Sequence, residues 1–84
     1  DILLARVFSH KTLTDMAEVS QIPLINGLCD EHHPTQALCD ALTIFRHFGS
    51  FQGVKVAYIG DGNNVAKSLM EISLLLGMEF IAAT

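Results

Sequence analysis

The run "VKVAYIGDGNNVAKSLMEISLLLGMEFIAAT", residues 54–84, restricts the fold more than any other stretch of the chain. It opens on an apolar, β-branched segment (54–60), breaks at two glycines and resumes with a helical period. Val65, Leu69, Ile72 and Leu76 form one stripe, which Met70, Leu74 and Leu75 widen. That spacing predicts a helix from about Asn64 to Leu76, with Gly77 as its stop. "MEFIAAT" then reads as the next strand. A strand, a turn, a helix and a strand within about 30 residues make a βαβ unit, whose strands run parallel. The expected class is therefore α/β with a parallel sheet.

Upstream, "LLARVF" (3–8) fits a short strand or the end of a helix. Leu13, Met16, Ala17 and Ser20 predict an amphipathic helix over 11–20. "IPLING" (22–27) reads as a strand ending at Asn26-Gly27, with a loop over 27–33. From Pro34 onward, Leu38, Ala41, Leu42, Phe45 and Phe48 recur at helical spacing. They predict a helix over 34–48, about four turns long. Pro34 fits the first turn, where its missing N–H costs nothing, and Gly49 fits the position just past the end. "GSFQG" (49–53) is the plausible hinge between two halves.

Half of the 84 residues are hydrophobic, which argues against a disordered chain. The net charge of −4 and the scattered lysines and arginines leave no footprint for nucleic acid. No apolar run approaches the roughly 20 residues of a membrane helix. Cys29 and Cys39 are too few for a disulfide scaffold, and we expect reduced, buried or half-buried thiols. Cys29-x-x-His32 with Cys39 lacks a second paired spacing, so no metal site is expected. The chain opens apparently inside an element and stops on a strand, so it reads as an internal piece of a longer protein.

Two motifs carry chemistry. Gly60-Asp61-Gly62 follows a strand and precedes a helix, as in a dinucleotide-binding turn. Val65 stands where that pattern needs a third small residue, and "FIAAT" lacks the acid that would hold a ribose. Asn63 and Asn64 sit instead at the carboxyl end of a strand, where open α/β sheets bind ligands. Their amides both donate and accept, which suits a zwitterionic amino acid. The second motif is "HHPTQ". A helix beginning at Pro34 presents free N–H groups and the positive end of its dipole to an anionic or strongly polar ligand. Gln36 can pair with an amide in both directions, and His33 can donate to a carbonyl oxygen that gains charge. The nearest basic residue in sequence is Arg46, about three turns along the same helix. The piece is therefore not expected to neutralise a phosphate by itself.

Taken together, "INGLCDEHHPTQALCDALTIFRHFG" and "GVKVAYIGDGNNVAKSLM" strongly resemble the ornithine carbamoyltransferases, within the aspartate/ornithine carbamoyltransferase family. The likeness runs along essentially the whole chain. His-Pro-x-Gln marks carbamoyltransferases generally, and "GDGNNV" discriminates the ornithine enzymes. The resemblance implies that His33 contacts the carbamoyl oxygen, that Gln36 holds the carbamoyl amide and that Pro34 and Thr35 shape the turn. It implies that Asn64, with Asn63 as its neighbour, binds the amino-acid end of L-ornithine. The implied reaction is attack of the ornithine δ-amine on carbamoyl phosphate, giving citrulline and phosphate with no metal and no cofactor.

The implied architecture is the junction of two doubly wound domains. Residues 1–33 would end the carbamoyl phosphate-binding domain, 34–52 would be the interdomain helix and hinge, and 53–84 would begin the ornithine-binding domain. A homotrimer or multiple of trimers in the cytoplasm is implied, with no nucleic acid or membrane partner. The family's Ser-Thr-Arg-Thr phosphate loop, its Asp…Ser-Met segment and its His-Cys-Leu-Pro segment are missing from these residues, so the piece alone is expected to be inactive. Two alternatives stay open. One is a carbamoyltransferase with a different amine acceptor. The other is a non-catalytic carbamoyltransferase-like binding module.

Overall fold

The computed structural model describes all of residues 1–84. The chain runs β1 (Leu3–Arg6), α1 (His10–Val19), β2 (Leu24–Leu28), α2 (Pro34–Phe48), β3 (Lys55–Ile59), α3 (Asn64–Leu75) and β4 (Glu79–Ala83). β1 pairs with β2 and β3 with β4, both in parallel, so α1 and α3 are crossover helices. The α/β reading is right, and it holds twice. The ambiguous "LLARVF" resolves into a strand because β2 offers it a parallel partner.

α2 joins the two βαβ units and packs on both α3 and β2. It begins at Pro34 and ends at Phe48, as the spacing predicts. Gly49 closes it in the left-handed conformation at φ 75°, its N–H bonded to the Phe45 carbonyl at 2.7 Å. A side chain there would strain the backbone. α3 stops one residue short of the expected Leu76, which forms the C-cap.

Three sequence expectations need correction. First, β2 does not end at Asn26-Gly27. Arg6 pairs with Leu28 where regular register would give Gly27, so Gly27 is the extra residue of a bulge. A Cβ on Gly27 would lie 3.1 Å from the Ala5 carbonyl oxygen, a tight contact that β1 would have to give way to by a few tenths of an ångström. Asn26 caps the bulge by accepting the Leu28 N–H at 2.9 Å. An Asn-Gly pair reads as a turn in sequence, but here it bends a strand.

Second, the helical stripes are only partly shielded: Ala41 is buried and Val65, Leu69 and Ile72 are half-buried, but the larger side chains of α2 are not covered. On α2, Leu38, Leu42, Phe45 and Phe48 are exposed, while Ala37 and Ala41 are buried. On α3, Ala66, Ser68 and Ser73 are buried and Leu74 and Leu75 are exposed. The residues fully buried on the two helices are small, and their large apolar side chains stay exposed. Third, Cys29 is fully buried but Cys39 is exposed on α2, so only one of the two thiols meets the expectation.

Candidate functional site

The carboxyl ends of β1 and β2 face the amino end of α3 across a cleft of about 560 Å³. Its walls are Arg6, Val7 and Phe8 after β1, Leu28, Cys29 and Asp30 after β2, and Asn63 and Asn64 at the start of α3. Parallel packing directs all three segments to one edge, the edge at which open α/β sheets take ligands. Arg6 is the only cation on the walls, and it makes no ion pair within the chain. Arg6 is thus a basic residue of the cleft that no sequence motif marks. A guanidinium stands opposite the asparagines, 40 residues before Arg46 in the chain. The sequence signal was present but unread: an arginine closing an apolar strand lies at the ligand-binding end of a parallel sheet.

The two asparagines do different work. Asn63 is the N-cap of α3, its side-chain oxygen accepting the Ala66 N–H at 3.1 Å. Tyr58 donates to the Asp61 carbonyl at 2.7 Å and lies 3.4 Å from the same Asn63 oxygen, which pins the turn. Asn64 is not the cap. Its Nδ2 donates to the Cys29 carbonyl at 2.7 Å and its Oδ1 accepts the Val65 N–H at 2.9 Å. It therefore bridges the two βαβ units at the floor of the cleft.

The second bridge comes from the "HHPTQ" segment. His33 is the N-cap of α2 at φ −135° and ψ 71°, kept out of the helical region by the following proline. Its side chain caps nothing. Its backbone N–H donates to Ser68 Oγ at 2.8 Å, one turn along α3 from Asn64. Ser68 is buried, so removing its hydroxyl would leave that N–H without a partner. The start of α2 is thus fixed against the first turns of α3. His33 Nδ1 lies 3.3 Å from Thr35 Oγ1. Gln36 is exposed, and its Nε2 donates to Asp40 Oδ1 at 3.0 Å one turn ahead.

The structure brings only some of the expected residues together. Asn63 and Asn64 line the cleft. Pro34 lines a neighbouring hollow of about 310 Å³ with Ser68 and Glu71. His33, Thr35 and Gln36 line neither; they stand at the α2 start, connected to the cleft through Ser68 and α3. Beneath them lies Cys29. Burial alone would push its thiol up, but hydrogen bonds from Asn26, from the backbone N–H groups of Glu31 and His32 and from the His10 ring outweigh it and hold the thiol below its ordinary value. The cleft floor is thus a dense polar knot. Cys39 takes no part in it, and it is absent from the group of side chains close enough together to hold a metal ion, His10, Glu31 and His32.

The chain is similar to known proteins over its whole length. Residues 1–46 match the family described as aspartate/ornithine carbamoyltransferase, carbamoyl-P binding domain. An ornithine carbamoyltransferase of Methanococcus maripaludis (strain C7) is 52% identical over 84 residues, covering 100% of this chain and 28% of that protein. The chloroplastic ornithine carbamoyltransferase of Pisum sativum is 46% identical over 83 residues, 99% of this chain and 22% of its own length. Among solved structures, an ornithine carbamoyltransferase from Pyrococcus furiosus superposes with a TM-score of 0.97 at 50% identity, over 100% of this chain and 27% of that one. The chain spans about a quarter of the length of the curated relatives it matches.

Proposed function

Since the chain belongs to the aspartate/ornithine carbamoyltransferase family, we propose that the complete protein transfers the carbamoyl group of carbamoyl phosphate to the δ-amine of L-ornithine, giving citrulline and phosphate. The observation that carries this reading is the cleft itself, with one guanidinium on the β1 side and two asparagine amides on the α3 side. A phosphoryl dianion suits the first, and the zwitterionic end of an amino acid suits the second.

On this reading Arg6 joins the anion site, and the α2 start presents His33 and Gln36 to the carbamoyl group. When the Thr35 hydroxyl donates to Nδ1, the His33 ring carries its proton on Nε2. That tautomer donates to a carbonyl oxygen as charge builds on it during attack. Gln36 gives up its bond to Asp40 and pairs with the carbamoyl amide, its carbonyl accepting and its NH₂ donating. Pro34 and Thr35 aim the pair. Asn64, with Asn63 beside it, faces the α-amino and α-carboxylate groups of ornithine. Catalysis consists of positioning and oxyanion stabilisation, with no metal or organic cofactor in the transfer step.

The domain reading belongs to the same proposal. Residues 1–33 end the carbamoyl phosphate domain, 34–52 connect, and 53–84 begin the ornithine domain; the family match reaches residue 46 and so takes in most of α2 as well. A homotrimer, or a multiple of trimers, is proposed for the complete protein, and the exposed Leu38, Leu42, Phe45 and Phe48 offer apolar surface for neighbouring elements to cover. The cytoplasm is the proposed location, and no helix is long and apolar enough to cross a membrane.

The test is product identification. The complete protein is incubated with carbamoyl phosphate and, in separate reactions, with ornithine, aspartate, putrescine or acetylornithine. Citrulline from ornithine, with the other amines far slower, is the expected result. Preferred carbamoylation of another amine would replace the acceptor, and no transfer to any amine would leave a binding module.

A further inference from the structure

His10 and His32 have no part in the proposed transfer, yet the fold brings them together. Their rings lie 5.2 Å apart at 65°. His10 opens α1 and His32 lies in the loop between β2 and α2, so no sequence spacing could have paired them. Glu31 joins them, and one ligand atom from each of the three lies within 4.8 Å of the others. Both histidines are half-buried, while Glu31 is exposed and free to swing.

We propose that His10, Glu31 and His32 form a binding site for a divalent cation of the zinc class, which clasps the start of α1 to the loop before α2. Each ring already has an outer partner on the same nitrogen. His10 Nδ1 is 3.5 Å from Cys29 Sγ, and His32 Nδ1 is 3.7 Å from Glu71 Oε1. In ligating histidines an outer contact on one ring nitrogen orients the ring and the other nitrogen binds, which for Nδ1 contacts is Nε2. Ligands on a tetrahedral zinc at about 2.0–2.2 Å stand roughly 3.4 Å apart. The cluster therefore closes with movements of about 1 Å, which the exposed Glu31 supplies most easily. Two imidazoles and one carboxylate favour zinc or cobalt over magnesium and calcium, which take oxygen ligands. Three protein ligands leave a fourth position open.

The clasp would reinforce contacts already present between the same segments. The His10 N–H donates to Asp30 Oδ1 at 2.9 Å, and the Asp30 N–H donates to the Phe8 carbonyl at 2.6 Å. Phe8 and Asp30 both line the cleft, so a bound ion would stiffen the wall that carries Arg6.

The test is zinc alone, titrated calorimetrically into the chelator-stripped complete protein without carbamoyl phosphate or ornithine. One tight site per chain is expected. His10→Ala and His32→Ala should each weaken it at least tenfold, and His47→Ala should leave it unchanged. Absence of stoichiometric binding, or wild-type affinity in both variants, would overturn the site. Cobalt in the unmutated protein gives a reading that does not depend on how a variant folds. A four-coordinate visible spectrum without a thiolate charge-transfer band supports this ligand set. A thiolate band would put a cysteine on the metal and overturn this ligand set. Neither result depends on which amine the enzyme carbamoylates.

Discussion

Replacing Arg6 with glutamine in the complete enzyme is expected to lower kcat/KM for carbamoyl phosphate by about 10- to 150-fold. Arg6 is the one cation on the cleft walls and has no carboxylate partner in the chain, so its charge is free for an anionic ligand. A hydrogen bond to a charged group contributes about 1.5–3 kcal/mol, which sets the range. Arg6→Lys keeps the charge but loses the two-pronged geometry, and it should recover only part of the loss. Because Arg6 is exposed and ends a strand, neither variant should lower the melting temperature much. Steady-state rates at saturating ornithine read the effect. A kcat/KM within twofold of wild type in Arg6→Gln would remove Arg6 from the phosphate site.

The second large effect is expected at Asn64. Its amide links α3 to the Cys29 carbonyl, which burial leaves with few other donors. Asn64→Ala should therefore destabilise the protein by about 1–3 kcal/mol, the cost of an unpaired polar group. It should also weaken ornithine binding about tenfold or more, about 1.4 kcal/mol, with carbamoyl phosphate bound nearly normally in the absence of ornithine. Asn63→Ala is the comparison. It removes the α3 cap and should cost about 1 kcal/mol of stability with a smaller change in ornithine affinity. Melting and equilibrium binding on both variants separate the roles. A destabilised Asn64→Ala with wild-type ornithine affinity would leave Asn64 as a structural bridge alone.

Local signals were legible in the sequence, and signals made by pairing were not. Pro34 and Gly49 bracketed α2 to the residue, because a proline start and a left-handed glycine stop are backbone properties of single positions. The second βαβ unit was visible from its glycines and its period. The first was half hidden: "LLARVF" is too short to declare a strand until β2 lies beside it. Asn26-Gly27 misled for a physical reason, since a dipeptide that favours turns also tolerates a bulge where two strands nearly touch. The leucine and phenylalanine stripe of α2 was real but stays exposed. Ala37 and Ala41 are the residues of α2 that the fold buries fully.

The site divides in the same way. The asparagine pair and the His33–Gln36 segment were named from sequence, but which asparagine caps α3 could not be. Both precede the helical run, and the choice turns on the Cys29 carbonyl 35 residues earlier. Arg6, His10 and Glu31 carry no motif. They acquire meaning when parallel pairing carries the end of β1 and the start of α1 alongside the loop after β2.

The central claim is that the α2 start and the α3 turn, held together by the His33–Ser68 and Asn64–Cys29 hydrogen bonds, serve one ligand-binding site. The most direct measurement uses one molecule that spans both ends: an ornithine whose δ-nitrogen carries a phosphonoacetyl group, mimicking both substrates joined. Its dissociation constant is measured by calorimetry on the complete wild-type protein and on Gln36→Ala. The account predicts much tighter binding to wild type than that of carbamoyl phosphate or ornithine alone, and about a 5- to 150-fold loss in Gln36→Ala, equivalent to roughly 1–3 kcal/mol. Binding no tighter than either substrate alone, or equal affinity in the variant, would contradict it.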